Sequence, residues 1–131
     1  MRTVLDASAA VHIVMRTERS GEFIARLETS QMVLAPALFH DEVANTLWKY
    51  TRAGVIDKNT ALTRLEETLS LVDAFEPDAT LATEALSLAI LHNRPVYDLI
   101  YVVLAMRFGA SLLSADGGLL QLAAGIDPSM A

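Results

Sequence analysis

Four acidic residues interrupt apolar or helical segments in this chain. Asp6 follows Thr3-Val4-Leu5, and Glu42 lies within an amphipathic stretch that starts near Pro36. Asp98 follows Pro95-Val96-Tyr97 and precedes an apolar run from Leu99 to Met106. Asp116 follows Ala110-Ser111-Leu112-Leu113-Ser114. Carboxylates gathered into one pocket repel each other, so they either bind protons or bind a cation. Hard divalent ions such as Mg2+ and Mn2+ take oxygen ligands of this type. If the four acids converge, the expected chemistry is that of a divalent metal site.

Each acid also has a plainer reading. Asp6 or Ser8 can cap a helix that follows the first strand. Glu42 has Leu38, Asn45, Thr46 and Lys49 as helical neighbours, beside a core stripe of Phe39, Val43, Leu47 and Tyr50. Asp41 competes with it, because adjacent helical residues point about 100° apart and only one can face a site. Asp98 opens an apolar helix and can serve as its cap. Asp116 precedes Gly117-Gly118, which suits a tight turn or the close approach of a ligand. Ser114 can bond a carboxylate or a metal-bound water.

Other polar residues carry less signal. His12, His40 and His92 lack metal-ligand spacing and read as ordinary helix residues. Trp48, Tyr50 and Tyr97 read as core or interface aromatics. Arg16, Arg19 and Arg94 fall near expected loops, and Lys49 lies near a helix C-terminus whose dipole it complements. These four cations are the candidates for phosphate contact. No Gly-x-x-x-x-Gly-Lys, Gly-x-Ser-x-Gly or Gly-x-Gly-x-x-Gly motif occurs.

The acids need elements to position them. Short β-type runs alternate with longer helical patterns, which predicts βαβ units and a parallel sheet. Strands are expected at 2–5, 31–34, 71–75 and 111–113, with 96–97 as a very short strand or extended turn. Helices are expected at 8–15, 20–28, 36–52, 57–71, from Asp78 or Thr80 to 92–93, 98–108 and 118–124. Pro36 would start its helix, while Gly54 and Gly109 would close theirs. Asp57 would cap the helix it opens, and residues 125–131 carry little structural signal. Ligands of such sheets bind beyond the carboxyl ends of strands, where strand order reverses. Asp6, Asp98 and Asp116 fall at that edge.

The length of 131 residues suits one domain, residues 1–131. Hydrophobic residues make up 53 % of the chain. This excess over the average soluble domain lies mostly in Ala and Leu, favouring helices or an apolar surface buried in an oligomer. No run reaches the roughly 18–20 apolar residues of a membrane span. With no cysteine and no signal-peptide core at the N-terminus, a cytoplasmic protein is expected. A net charge of −6 argues against a simple electrostatic nucleic-acid binder. Divalent ions on the four acids would cancel that charge locally.

Taken in order, four pieces resemble the PIN-domain ribonucleases, in particular VapC-type toxins of toxin–antitoxin pairs. They are Val4-Leu5-Asp6-Ala7-Ser8-Ala9, then Ala35-Pro36-Ala37-Leu38-Phe39 leading to Glu42-Val43-Ala44-Asn45-Thr46-Leu47, then Val96-Tyr97-Asp98-Leu99-Ile100-Tyr101-Val102-Val103-Leu104-Ala105, and Leu113-Ser114-Ala115-Asp116-Gly117-Gly118-Leu119. The resemblance implies an α/β fold with three α/β/α layers around a central parallel sheet of four or five short strands. It implies that Asp6, Glu42, Asp98 and Asp116 bind Mg2+ or Mn2+ and carry catalysis, with Ser8, Asn45 and Ser114 as polar supports. The activity implied is hydrolysis of RNA to 5′-phosphate and 3′-hydroxyl products. The implied partners are a small cognate antitoxin and a second copy of the chain.

Two departures stand out. Some family members carry another acid after the fourth motif, where this chain has Gly117-Gly118, so a second metal would be bound weakly or only with substrate. Many end in a further strand, for which Gly125-Ile126-Asp127-Pro128-Ser129 is a poor match. Two rival readings remain at this level. One is a PIN-like module without catalysis. The other is a phosphohydrolase with Asp6 as nucleophile, which would want a second Asp where Ser8 stands.

Overall fold

Successive strand residues face opposite sides of a sheet. Here both sides are apolar. Val4, Leu34 and Leu112 enter one core, while Leu5, Val33, Ala35 and Leu113 enter another. A sheet buried on both faces needs helices on both faces. The computed structural model, which describes residues 1–131, has that arrangement. Its elements are β1 (Arg2–Leu5), α1 (Ala7–Val14), α2 (Ser20–Glu28), β2 (Met32–Pro36), α3 (Leu38–Arg52) and α4 (Lys58–Leu69). They continue with β3 (Ala74–Glu76), α5 (Ala82–His92), α6 (Val96–Phe108), β4 (Ser111–Leu113) and α7 (Gly117–Ile126). Single 3-10 turns lie at Asp78–Thr80 and Pro128–Met130.

The four strands are parallel, in the order β3-β2-β1-β4. One core joins α1, α2 and α3 to the sheet through Phe23, Phe39, Val43 and Leu47, with Leu65 and Leu69 of α4 packed against it. The other joins α5, α6 and α7 through Ala85, Ala89, Leu99 to Ala105, Leu119 and Ala123. The result is the expected three-layer α/β/α fold, with four strands. The chain steps outward from β1 to β3 and then returns to place β4 on the far side of β1. This reversal sets the carboxyl ends of β1 and β4 side by side, where Asp6 N–H donates to Leu113 O at 3.0 Å. Open α/β sheets bind ligands at such a point.

Several local expectations are corrected. Residues 96–97 are the first residues of α6, not a strand. Pro95 is extended, and its carbonyl accepts from Asp98 N–H at 3.2 Å, closing the first turn. A short apolar run has the same pattern in a strand and in a buried helix. Pro36 ends β2 and does not start α3. The last registered pair of β1 with β2 is Val4 with Leu34, so the missing N–H at Pro36 forfeits no bond to β1. The third strand is Ala74–Glu76. Ahead of it, Asp73 continues the ladder with its own atoms. Its carboxylate accepts from Val33 N–H at 2.7 Å, and its N–H donates to Val33 O at 2.8 Å.

Neither Asp78 nor Thr80 caps α5, whose N-terminus has no side-chain cap. Asp78 instead accepts from Leu38 N–H at 3.0 Å, at the start of α3. Residues near the C-terminus also carry more structure than their composition suggests. α7 extends to Ile126, and Met130 is buried in the core of the α5–α7 layer.

Candidate active site

At the carboxyl edge of the sheet, Asp6, Glu42, Asp98 and Asp116 line one open cavity of about 360 Å³. Ser8, Val11, His12, Thr46, Tyr50, Tyr101 and Leu119 complete most of its wall. The acids arrive from four different places. Asp6 follows β1, Glu42 comes from α3 on one face of the sheet, Asp98 from α6 on the other, and Asp116 follows β4.

Asp6 is only 8 % exposed. It stands at the N-cap of α1 but makes no side-chain cap bond. Its Oδ2 accepts from Ser8 Oγ at 2.7 Å and from Ser114 Oγ at 2.5 Å. The two serines are fixed in turn, since Ala115 N–H donates to Ser8 Oγ and Asp116 N–H to Ser114 Oγ, both at 3.0 Å. Burial pushes the Asp6 carboxyl above its ordinary value, against the pull of these hydroxyls.

Glu42 accepts a 2.6 Å bond from Tyr101 Oη, which joins α3 to α6 over the sheet edge. Burial raises its pKa most, the Tyr101 bond lowers it, and the charges of Asp6, Asp98 and Asp78 raise it further. The competing residue, Asp41, is exposed. Burial, followed by the nearby charges of Glu42 and Asp6, pushes the Tyr101 hydroxyl far above the ordinary tyrosine value, so it stays protonated and donates.

Asp98 does not cap α6. It occupies the first turn, half-exposed, with Oδ2 at 3.1 Å from Arg94 Nη2. Asp116 does cap α7. Its Oδ1 accepts from Gly118 N–H at 2.9 Å and Leu119 N–H at 3.2 Å, and no protein donor reaches Oδ2.

The donor set is carboxylate and hydroxyl oxygen, which suits a hard divalent ion. As arranged, no three of the acids close into a tight chelate. The site is an open bowl, the kind that Mg2+ occupies through one or two carboxylates while keeping several of its waters. Mutual repulsion among the acids would be relieved by a cation.

The remaining sequence candidates divide clearly. Ser8 and Ser114 support Asp6, and Arg94 reaches Asp98. Asn45 is exposed and lies outside the cavity, in a shallow groove with Leu38, Asp41, Glu42 and Tyr97. Thr46 lines the cavity instead, its hydroxyl donating to Glu42 O at 2.9 Å. Arg19 pairs with Glu22 at 2.8 Å, donates to Ala115 O at 3.3 Å and stacks on Phe23. Arg16 and Lys49 are exposed.

Sequence reading missed Tyr101, Thr46 and His12 as cavity residues, while Tyr50, read as core, packs against the core and lines the cavity as well. The available signal was helical spacing. Tyr101 lies one turn beyond Asp98, Thr46 and Tyr50 continue the Glu42 line, and His12 lies one turn beyond Ser8. His12 Nδ1 shares a 2.6 Å hydrogen bond with Thr17 Oγ1.

Comparison with known proteins agrees with this architecture. A family profile described as PIN domain matches residues 3–125. Ribonuclease VapC3 of Pyrobaculum aerophilum is 35 % identical over 118 residues, covering 88 % of this chain and 90 % of that protein. Ribonuclease VapC12 of Mycobacterium tuberculosis is 34 % identical over 118 residues, covering 90 % and 89 %. The crystal structure of PAE2754 from Pyrobaculum aerophilum superposes with a TM-score of 0.73 at 26 % identity, covering 93 % of this chain and 79 % of that one. Mycobacterium tuberculosis VapC20, described as a sarcin–ricin loop cleaving toxin, gives a TM-score of 0.70 at 16 % identity, covering 89 % and 92 %. At that identity the likeness is one of fold.

Proposed function

This chain belongs to the PIN-domain family, and from that premise we propose that it is a VapC-type endoribonuclease, the toxin of a toxin–antitoxin pair, working with Mg2+ or Mn2+. The observation that carries this reading is the convergence of Asp6, Glu42, Asp98 and Asp116 on one cavity at the strand-order reversal. The identity to relatives named Ribonuclease VapC supports the same activity. No helix of the structure is long and apolar enough to cross a membrane. We assign the protein to the cytoplasm, where its RNA would be found.

Asp6, Glu42, Asp98 and Asp116 would hold the ion. When bound, a divalent ion neutralises a phosphodiester, lowers the pKa of a water and stabilises the departing oxygen. The chain's own residues prepare this site. Ser8 and Ser114 fix one oxygen of Asp6 and leave the other for a ligand. Tyr101 holds Glu42 in the wall of the cavity. Thr46, Tyr50 and His12 extend the wall along which a nucleotide would lie. Arg16, Arg19, Lys49 and Arg94 are the cations available to flanking phosphates, and the existing bonds of Arg19 make it the most constrained of them.

The exposed apolar side chains on α5, Leu86, Ile90 and Leu91, would form the homodimer face. Trp48, Val55 and Leu62, also exposed, would serve the antitoxin.

Cleavage of a structured RNA substrate in the presence of Mn2+ tests this reading. EDTA should abolish cleavage, and Mg2+ or Mn2+ should restore it. Asp6→Asn and Asp98→Asn should each lower the rate by at least about 100-fold while circular dichroism remains that of the folded protein. Full activity in EDTA or in either variant rejects the metal mechanism. No cleavage of any RNA by the wild-type chain, with dimerisation intact, favours a binding module instead.

A further inference from the structure

The acid cavity has a single cation bonded to one of its carboxylates, Arg94. Its backbone N–H is anchored to Ala89 O at 3.1 Å, directly after Asn93, whose left-handed conformation ends α5. The guanidinium then reaches Asp98, with Nη2 at 3.1 Å from Oδ2, and both partners are about two-thirds shielded from solvent.

Gly118 gives a second, independent sign of this placement. It lies in the first turn of α7 and lacks the positive φ that would demand glycine. A Cβ built there would stand 3.4 Å from Arg94 Nη1, 3.7 Å from Arg94 Nη2 and 3.3 Å from Asp116 Oδ1. The guanidinium therefore lies at van der Waals distance from the Cα–Cβ direction of Gly118, between Asp98 and the Asp116 turn, and the one atom closer than that is Asp116 Oδ1. The neighbouring Gly117 faces open space, so the arginine lies over Gly118 and not over the residue before it.

We propose that Arg94 is the resident counter-ion of the acid cavity: it neutralises Asp98 while the cavity lacks a metal and opposes the entry of a divalent cation. This inference rests on the metal reading above and adds a regulatory term to it. A guanidinium fixed on a ligand carboxylate acts on the ion in two ways. It occupies an oxygen that the ion could use, and its charge repels the ion at short range. Both effects weaken metal binding until the arginine moves. An RNA phosphate is a strong partner for a planar guanidinium. Substrate would therefore draw Arg94 from Asp98 and favour metal loading in the same event.

Calorimetric titration of Mn2+ into wild-type, Arg94→Gln and Arg94→Lys proteins without RNA tests the proposal. Arg94→Gln should bind Mn2+ tighter by roughly 3- to 10-fold, an effect of charge at this range that shrinks as salt rises. Arg94→Lys keeps the charge, so its affinity for Mn2+ should lie closer to wild type than that of Arg94→Gln. A merely structural role predicts the opposite sign, because a damaged site binds metal less well. Equal or weaker binding by folded Arg94→Gln overturns the proposal. Should that variant not fold, the Arg94 Nε–Hε resonance of the wild-type protein decides. A shift that saturates with Mg2+ supports displacement, and an unmoved signal overturns it. No Mn2+ binding by either the wild-type chain or folded Arg94→Gln would overturn the metal reading itself, a result distinct from failure of the counter-ion.

Discussion

Asp6 places a carboxyl where burial disfavours its charge, and Glu42 does so beside three other acids, Asp6, Asp98 and Asp78. Two serine hydroxyls and one tyrosine hydroxyl offset part of that cost. The imbalance links folding to pH. Both carboxyls are raised above their ordinary values of 3.8 and 4.5, so between those values and their folded ones the native state binds more protons than the unfolded chain. Stability must then fall as pH rises through that window. Asp57 and Asp127 are shifted downward, and their contribution is lost only as pH falls below the ordinary range. In EDTA, the melting temperature should therefore fall as pH is raised from the ordinary carboxylate range toward neutrality. Saturating Mn2+ should reverse the trend, since protons then compete with the ion, and Asp6→Asn should flatten it. Greater stability at the higher pH in EDTA, with no change in Asp6→Asn, would contradict this account of the cavity.

Helix ends contribute to the site as much as helix interiors do. α1 stops in a Schellman-type turn, with Thr17 N–H donating to His12 O and Arg16 N–H to Ile13 O, both at 3.2 Å. That motif needs a left-handed residue after the helix, usually Gly. Here Arg16 fills it, at φ 55°. Its side chain is exposed, so little packing would be lost by removing it. Arg16→Gly should stabilise the fold by about 1 kcal/mol, read as a higher urea midpoint at unchanged slope. If Arg16 meets RNA phosphates, the same variant should weaken substrate binding and lessen its salt dependence. A destabilised variant would mean that the arginine side chain makes contributions beyond its backbone.

At the scale of the whole molecule, the excess of Ala and Leu has two destinations. Much of it fills two cores, with α6 enclosed from Leu99 to Ala105. Part of the rest remains outside on α5 at Leu86 and Leu91, beside Ile90, with Ile90 and Leu91 each 74 % exposed. A stable dimer interface covers about 800 Å² per partner, and this face supplies an apolar centre for one. If the proposed homodimer forms through this face, Ile90→Glu with Leu91→Glu should yield a folded monomer in light scattering, with little change in circular dichroism. Persistence of the dimer would place the interface elsewhere.

Much of this organisation is legible in the chain itself. The alternation of short apolar runs with helical patterns specifies a parallel sheet covered on both faces, because strands apolar on both sides tolerate no other burial. The same text marks Asp6, Glu42, Asp98 and Asp116, since a carboxylate at the end of an apolar run needs a reason to be there. Pairings across the sheet edge are another matter. Glu42 and Tyr101 lie 59 positions apart, and Ser8 and Ser114 lie 106 apart. No local spacing encodes such contacts. They follow from the strand order β3-β2-β1-β4, which brings α3, α6 and the β4 turn to one place. The folded chain also decided that Glu42 and not Asp41 faces inward, that Asp78 caps α3, and that Arg94 lies between Asp98 and Gly118. Propensity and periodicity act over a few residues, whereas these choices depend on which distant segments the sheet makes neighbours.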